Sequence, residues 1–268
     1  MFARINHIAI NSDVYAINGK FYEALFGLRP SGKPRPARAV VLKDGYVGLN
    51  NNVRHEGARS GIDHFGIEVE DIALAVERIK KFDPGLETVK RPSRRPFAAY
   101  SAHDPEINIF DLSQRDSDAQ KDVYSESGWT QPRTISHLAI RARDPERCAR
   151  FYSEVFELTV ERKPGDENVY VHDGRVTLLL MPWKMSDYVG QNPIAPGIEH
   201  FGFNVESIDA LKSEMDELLS NPRLASWQLG KGDEGGARLK LFQRCPLGTF
   251  HITDVEGAYV DVAEHARA

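Results

Sequence analysis

Cysteine is scarce in this chain. Its 268 residues hold two, Cys148 and Cys245, and neither belongs to a CxxC pair. That excludes a disulfide framework and a CxxC-type zinc knuckle, and makes a reducing cytoplasm the expected location. No run approaches 18 apolar residues and the N-terminus carries no apolar signal core, so neither a spanning helix nor a leader is expected. Positive charge is not in excess: 34 Lys and Arg stand against 39 Asp and Glu, for a net charge of −5. Nucleic acid is therefore not the expected partner, since phosphate neutralisation needs clustered surplus cations. The one glycine-rich stretch, Gly230-Lys231-Gly232-Asp233-Glu234-Gly235-Gly236, lacks the spacing and the Lys-Ser or Lys-Thr of a phosphate loop. It reads as a mobile loop and a candidate lid.

What the chain does have is a hexamer used four times. It reads Ile5-Asn6-His7-Ile8-Ala9-Ile10, Ile62-Asp63-His64-Phe65-Gly66-Ile67, Ile135-Ser136-His137-Leu138-Ala139-Ile140 and Ile198-Glu199-His200-Phe201-Gly202-Phe203. Alternating apolar residues mark a strand with one buried face. On a regular strand the histidine would share a face with the first Ile and with the Ala or Gly. An inward imidazole among such neighbours needs a partner, because an unpaired buried polar group costs about 1–3 kcal/mol. A metal ion is the most economical partner for several such rings.

The sequence around the hexamers alternates in an ABAB order. After His7 and His137 come Phe21-Tyr22-Glu23-Ala24-Leu25-Phe26 and Phe151-Tyr152-Ser153-Glu154-Val155-Phe156, both helical stripes. Asp144-Pro145 supplies the second with an N-cap and a first-turn proline. After His64 and His200, helices start at Ile72 and Ile208, the latter running to about Leu219. Strand-like runs flank Asp44-Gly45 and Asp173-Gly174 as hairpins. The even copies end in turns followed by strands carrying a late acid, Asp111 and Asp261. The expected fold is α+β, with four βαβββ modules forming two half-open-barrel domains. The modules fall at 1–55 and 60–115 in the first domain (1–115), and at 133–185 and 196–265 in the second (133–265). Between them, residues 113–133 have the polar composition of a linker.

The repeated strand histidine, the Phe-Tyr helix and the Asp-Pro-x-x-Asn-x-x-acid-Leu ending together resemble the vicinal oxygen chelate superfamily. It includes glyoxalase I, extradiol ring-cleaving dioxygenases and bleomycin-resistance proteins. The resemblance spans nearly the whole chain, and four modules look most like the two-domain extradiol enzymes. It implies a metal held by His137, His200 and Asp261, and a second candidate site at His7, His64 and Asp111. Asp stands where the family usually has Glu, so the strand must approach more closely or a water must intervene. Two histidines and one carboxylate suit Fe(II), with manganese, zinc or nickel as alternatives.

By the same resemblance, His251 occupies a position like that of an active-site tyrosine in extradiol enzymes, and would relay protons. Ser101 is its counterpart in the first domain, a poorer acid or base. The second domain is therefore the expected catalytic one, with the first weaker or empty. A glyoxalase I would add an acid or His from the strands around Leu49 and Leu180. Neither strand has one, although Asn50 or Asn51 could substitute weakly. The implied function is an extradiol-type dioxygenase acting on a small catechol-like or vicinally oxygenated substrate. The alternatives are a lyase, isomerase or epimerase working through an enediolate, and a non-catalytic ligand-binding member. The expected partner is a small molecule, with homo-oligomerisation open and no membrane or nucleic-acid role.

The remaining features read more plainly. His103 is expected to face solvent or cap a backbone group, and His55, His172 and His265 carry no functional expectation. Arg91-Pro92-Ser93-Arg94-Arg95-Pro96 is expected as a solvated turn, or else as an anion-steering rim. Cys148 is expected to be structural, and Cys245, next to Pro246, to have no partner that would activate it.

Overall fold

The computed structural model describes residues 1–32, 39–92, 97–187, 195–218, 220–221 and 232–265. The first module comprises β1 (Ala3–Ser12), α1 (Tyr15–Phe26), β2 (Arg29–Pro30), β3 (Ala39–Lys43) and β4 (Gly48–Val53). The second comprises β5 (Gly61–Val69), α2 (Ile72–Phe82), β6 (Thr88–Lys90), β7 (Tyr100–His103) and β8 (Ile109–Gln114). The third comprises β9 (Thr134–Ala142), α3 (Pro145–Phe156), β10 (Thr159–Arg162), β11 (Val169–His172) and β12 (Thr177–Pro182). The fourth comprises β13 (Gly197–Val205), α4 (Ile208–Leu218), α5 (Gly232–Phe242), β14 (Phe250–Thr253) and β15 (Tyr259–Glu264). The expected caps form: the Asp144 side chain accepts from Arg147 N at 2.9 Å, with Pro145 in the first turn of α3.

Two mixed, open sheets result, ordered β2-β3-β4-β1-β5-β8-β7-β6 and β10-β11-β12-β9-β13-β15-β14. Within a module, first and last strands run parallel, as a helical crossover requires. Between modules the histidine strands pair antiparallel at the centre of the sheet, β1 with β5 and β9 with β13. The α+β, two-domain, half-open architecture is as expected. The fourth module departs from βαβββ: among the described residues it has three strands, and a second helix, α5, stands where a loop at Gly232–Gly236 was expected. The glycines concealed it. Its C-terminal end carries buried apolar residues, Leu241 and Phe242, and that burial supplies what local propensity lacks. Gly230 and Lys231 lie outside the described residues, as does part of the basic turn, Ser93–Pro96.

One apolar core runs through both domains. Helix α1 stacks on the opposite domain, with Phe26 and Phe203 ring centroids 3.8 Å apart. Helix α3 reciprocates: Phe151 and Phe156 lie 6.0 and 5.7 Å from Phe110 of β8. Four turn aspartates complete the exchange. Asp104 accepts from its own loop at Glu106 N and Asn108 N (both 2.9 Å) and from the Tyr152 hydroxyl of α3 at 2.9 Å. Asp254 accepts from Glu256 N and Ala258 N, and from Tyr22 and Asn18 of α1, each at 2.9 Å. Asp44 binds its own hairpin and accepts from Ile135 N at 2.8 Å, while Asp173 binds its own and accepts from Ile5 N at 2.8 Å. Each hairpin aspartate thus holds the first strand of the other domain.

The connecting segment is not a free tether. Val123 and Tyr124 are buried against Val41 and Phe97 in the first domain. No helix among the described residues is long and apolar enough to cross a membrane.

Removing the Tyr152 hydroxyl should cost about 1.5–3 kcal/mol, the range for a hydrogen bond to a charged group. Tyr152→Phe and Tyr22→Phe should therefore each lower the urea midpoint while keeping one cooperative transition. Asp104→Ala should cost more, because it leaves several buried donors unpaired. Midpoints unchanged in both Phe variants would show that these contacts add nothing to stability.

Candidate metal centres

Every histidine hexamer contains a β-bulge. The pairing register slips at Asn6, Asp63, Ser136 and Glu199, the polar residue directly before each histidine. A bulge re-aims side chains, and here it changes which face the histidine occupies. Ile5, Ile8 and Ile10 all enter the core, whereas His7 and Ala9 face the other way. The expectation that His7 shares a face with Ile5 is corrected accordingly, and so is its counterpart for His137 and Ile135. The bulged residue also holds the ring. Nδ1 lies 2.8 Å from Asn6 Oδ1 in His7 and 2.6 Å from Asp63 Oδ2 in His64. It lies 3.0 Å from Ser136 Oγ in His137 and from Glu199 Oε2 in His200. In all four, Nε2 is left to point into the concave face.

The register is the same in both domains. His7 and Asp111 lie opposite Gly66, and His137 and Asp261 lie opposite Gly202. His7 and His64 have ring centroids 5.6 Å apart at 87°, and His137 and His200 repeat both values. The small fifth residue of the hexamer has a steric cause. A Cβ on Gly202 would come within 2.0 Å of His137 Cε1, and one on Gly66 within 2.1 Å of His7 Cε1.

In the second domain, one ligand-type atom from each of His137, His200, Cys245 and Asp261 lies within 4.8 Å of all the others, and all four residues are buried. His137 Nε2 is 3.4 Å from Asp261 Oδ2. His137 Nε2, His200 Nε2 and Asp261 Oδ1 are buried without a hydrogen-bond partner. Burial, with His200 beside it, holds the His137 pKa below its ordinary value despite Asp261. Burial would raise the Asp261 pKa, but His137, His200 and His251 together bring it below the usual carboxylate range. Two imidazoles, that of His137 held neutral by burial, and an ionised carboxylate, with buried unsatisfied atoms close together, fit a divalent cation. The shorter Asp261 reaches because Gly248 packs against it; a Cβ there would fall 1.8 Å from Oδ1. Behind the ligands, Arg141 Nε donates to Glu199 at 2.6 Å, and Glu199 orients His200.

The first domain brings His7, His64 and Asp111 together too, but their surroundings differ. Asp111 accepts from Ser101 Oγ, and Ser101 accepts from Arg91 Nε at 2.7 Å. Burial opposes charge on His64, yet Asp111 and Asp63 outweigh it and raise its pKa to about 9. Burial opposes charge on Asp111 as well, yet His64 and His7 lower its pKa to about 2. The pair is an ion pair more than a vacant ligand set. Tyr124 from the connecting segment covers the face, its ring centroid 5.4 Å from that of His7 and its hydroxyl 2.7 Å from Asn50 Nδ2. Asn50 and Asn51 are engaged by Tyr124 and Asn18.

His251 lies directly opposite Asp261 on β14, with Nε2 3.3 Å from Oδ1. Ser101 holds the same position opposite Asp111. Phe242 of α5 lies across this centre, 4.6 Å from the His200 ring and 4.5 Å from the His251 ring. Cys245 donates its thiol to Asp261, with Sγ 3.2 Å from Oδ2, but this partner does not activate it: burial and the Asp261 charge push the thiol pKa up, as expected. Sequence reasoning missed Cys245, Phe242 and the bulged polar residues. Only the last left a signal, a polar second position in all four hexamers. His103 bonds its neighbouring carbonyl, and Cys148 is buried against Asp104. Arg91 turns inward to Ser101.

Residues 134–220 match the model of the Glyoxalase/Bleomycin resistance protein/Dioxygenase superfamily. No curated protein matches the sequence. Among solved structures, the chain is similar to a xylose isomerase-like TIM barrel/4-hydroxyphenylpyruvate dioxygenase fusion protein, at 14% identity and a TM-score of 0.59. That match covers 99% of this chain and 49% of the other, so the chain spans about half its length. It is similar to the Mn(II)-bound glyoxalase from Novosphingobium aromaticivorans (14% identity, TM-score 0.62), over 98% of this chain and 83% of that one. It is also similar to a catechol 2,3-dioxygenase (15% identity, TM-score 0.60), over 98% and 88%. At these identities the likeness is one of fold, and with the family match it bears out the resemblance read from the hexamers.

Metal analysis should find that His137→Ala loses bound cation and His7→Ala does not; the reverse result would exchange the roles of the two clusters. Gly202→Ala should weaken metal binding by displacing His137 while leaving the fold intact, as read by titration and circular dichroism. The His64 pKa is raised from 6.5, so in metal-free protein its pair with Asp111 stabilises fully below about pH 6.5 and is lost as pH rises through about 9. The gap in urea midpoint between wild type and His64→Gln should be wide at pH 6 and closed by pH 10. A pH-independent gap would contradict the ion pair.

Proposed function

For a chain with the vicinal oxygen chelate fold, we propose a metal-dependent enzyme that works at the C-terminal centre on a small, vicinally oxygenated molecule. The foremost reading is ring cleavage of a catechol-like compound by an extradiol-type dioxygenase. One observation carries it: His137, His200 and Asp261 bring ligand-type atoms within 4.8 Å of one another, and His137 Nε2, His200 Nε2 and Asp261 Oδ1 are buried without hydrogen bonds. A divalent cation there, Fe(II) foremost with manganese, zinc or nickel as alternatives, would supply Lewis-acid polarisation of two chelated oxygens. That unsatisfied set also argues against a purely sequestering module, whose cleft has no use for buried ligand atoms.

The protein's own groups divide the remaining work. Glu199 and Ser136 fix the two rings, and Arg141 steadies Glu199. Burial holds the His251 pKa below its ordinary value, so at neutral pH the ring is a proton acceptor, placed beside Asp261 at the edge of the centre. Phe242 excludes water, and a substrate enters by displacing it. The first domain supports an aromatic substrate: on a sheet of identical register, the Tyr124 phenol already occupies the concave face. The second reading is a lyase, isomerase or epimerase that needs no O₂. Cys245 specifically favours it, because a fourth protein group at the centre leaves fewer open positions for substrate and O₂ together.

Screening metal-loaded protein over catechols, with O₂ uptake recorded, tests this choice. The expected result is ring cleavage coupled to O₂ consumption. Full turnover of a vicinally oxygenated substrate under strict anaerobiosis would remove the dioxygenase reading and promote the other. His251→Ala should lower turnover by roughly 10²–10⁴-fold with metal content unchanged.

A further inference from the structure

We propose that Cys245 is a fourth metal ligand, and that the C-terminal centre is a His₂-Asp-Cys site selective for thiophilic divalent cations. The proposal rests on the reading that this cluster binds metal at all. The thiol belongs to the turn that follows α5, where Cys245 N donates to Phe242 O at 3.0 Å. That turn brings the residue under β15, with its sulfur 3.2 Å from Asp261 Oδ2. His137 Nε2 approaches the same oxygen at 3.4 Å. Around a tetrahedral zinc ion, with bonds of about 2.0–2.3 Å, neighbouring ligand atoms stand roughly 3.3–3.6 Å apart. Both separations fall near that range, and the remaining ligand atoms lie within 4.8 Å of one another, so a cation would draw the set together from a nearly assembled state.

The four side chains are independently marked as a ligand set. Three of them present buried atoms without hydrogen-bond partners, and the sulfur lies among those atoms. Soft thiolate beside imidazole and carboxylate suits Zn(II), Fe(II) or Co(II), and disfavours Mg(II) and Ca(II), which take oxygen ligands. On binding, the thiol proton leaves to solvent and sulfur donates to the cation, with no change of oxidation state. Among the described residues, the first-domain cluster holds no sulfur. Cys245 stands 16 residues before Asp261, and the residue 16 before Asp111 is Arg95, which cannot ligate a cation.

Cobalt titration of the metal-free full chain, under argon with reductant, tests the assignment. Wild type should take up Co(II) with a near-ultraviolet thiolate-to-cobalt charge-transfer band. Cys148→Ser should keep that band. Cys245→Ser should lose it while still binding Co(II), and its preference for Zn(II) over Mg(II) should fall at least about tenfold. Co(II) uptake by wild type without the band would overturn Cys245 as a ligand and leave the His137, His200 and Asp261 reading standing. No uptake of Co(II) or Zn(II) by wild type would overturn both.

Discussion

A buried carboxylate at the tip of a tight turn must find donors for both oxygens, and in this protein it finds them in two different domains. Asp44, Asp173 and Asp254 each give one oxygen to their own loop and the other across the interface, and Asp104 does the same except that its outer oxygen also takes a bond from Asn108. A carboxylate stripped of such partners would cost more than a neutral group left bare. The turns and the interface therefore form together. Because β1 and β9 are held at their starts by Asp173 and Asp44, the position of each histidine strand depends on the opposite domain.

From that frame the two concave faces inherit one geometry and opposite chemistry. The bulges place four imidazoles alike, and the neighbours then decide what they do. Around Asp111, Ser101 donates to the carboxylate and is itself held by Arg91, and a phenol closes the face. Around Asp261, the corresponding partner is His251, among the described residues no arginine reaches in through it, and a sulfur approaches instead. The scaffold repeats, while a handful of side chains on one turn and one strand set an ion-paired, covered cluster apart from a more receptive one.

Much of this was legible in the sequence. The hexamers carried the strands and the clustering of their histidines, the Asp-Gly pairs the hairpins, and the late acids the carboxylates that join each cluster, because these are local patterns repeated in matching contexts. The face occupied by His7 was not legible, since strand period alone places it with Ile5 and a bulge belongs to the pairing of two strands. Cys245 was hidden for a similar reason. It is remote in sequence from every histidine of the cluster and follows a helix that begins among glycines. Tyr124 sits in a stretch whose polar composition reads as solvent-facing, yet its ring is buried.

The exchange of α1 and α3 between domains has a consequence for how the molecule could have arisen and how it can be taken apart. Phe26 finishes the core beneath Phe203, and Phe151 and Phe156 finish the core beneath Phe110. Neither half has a complete interior of its own. A cut through the 113–133 connection would yield a nicked pair, not two independent proteins, and an ancestor with a single domain would have needed a second copy of itself to fold.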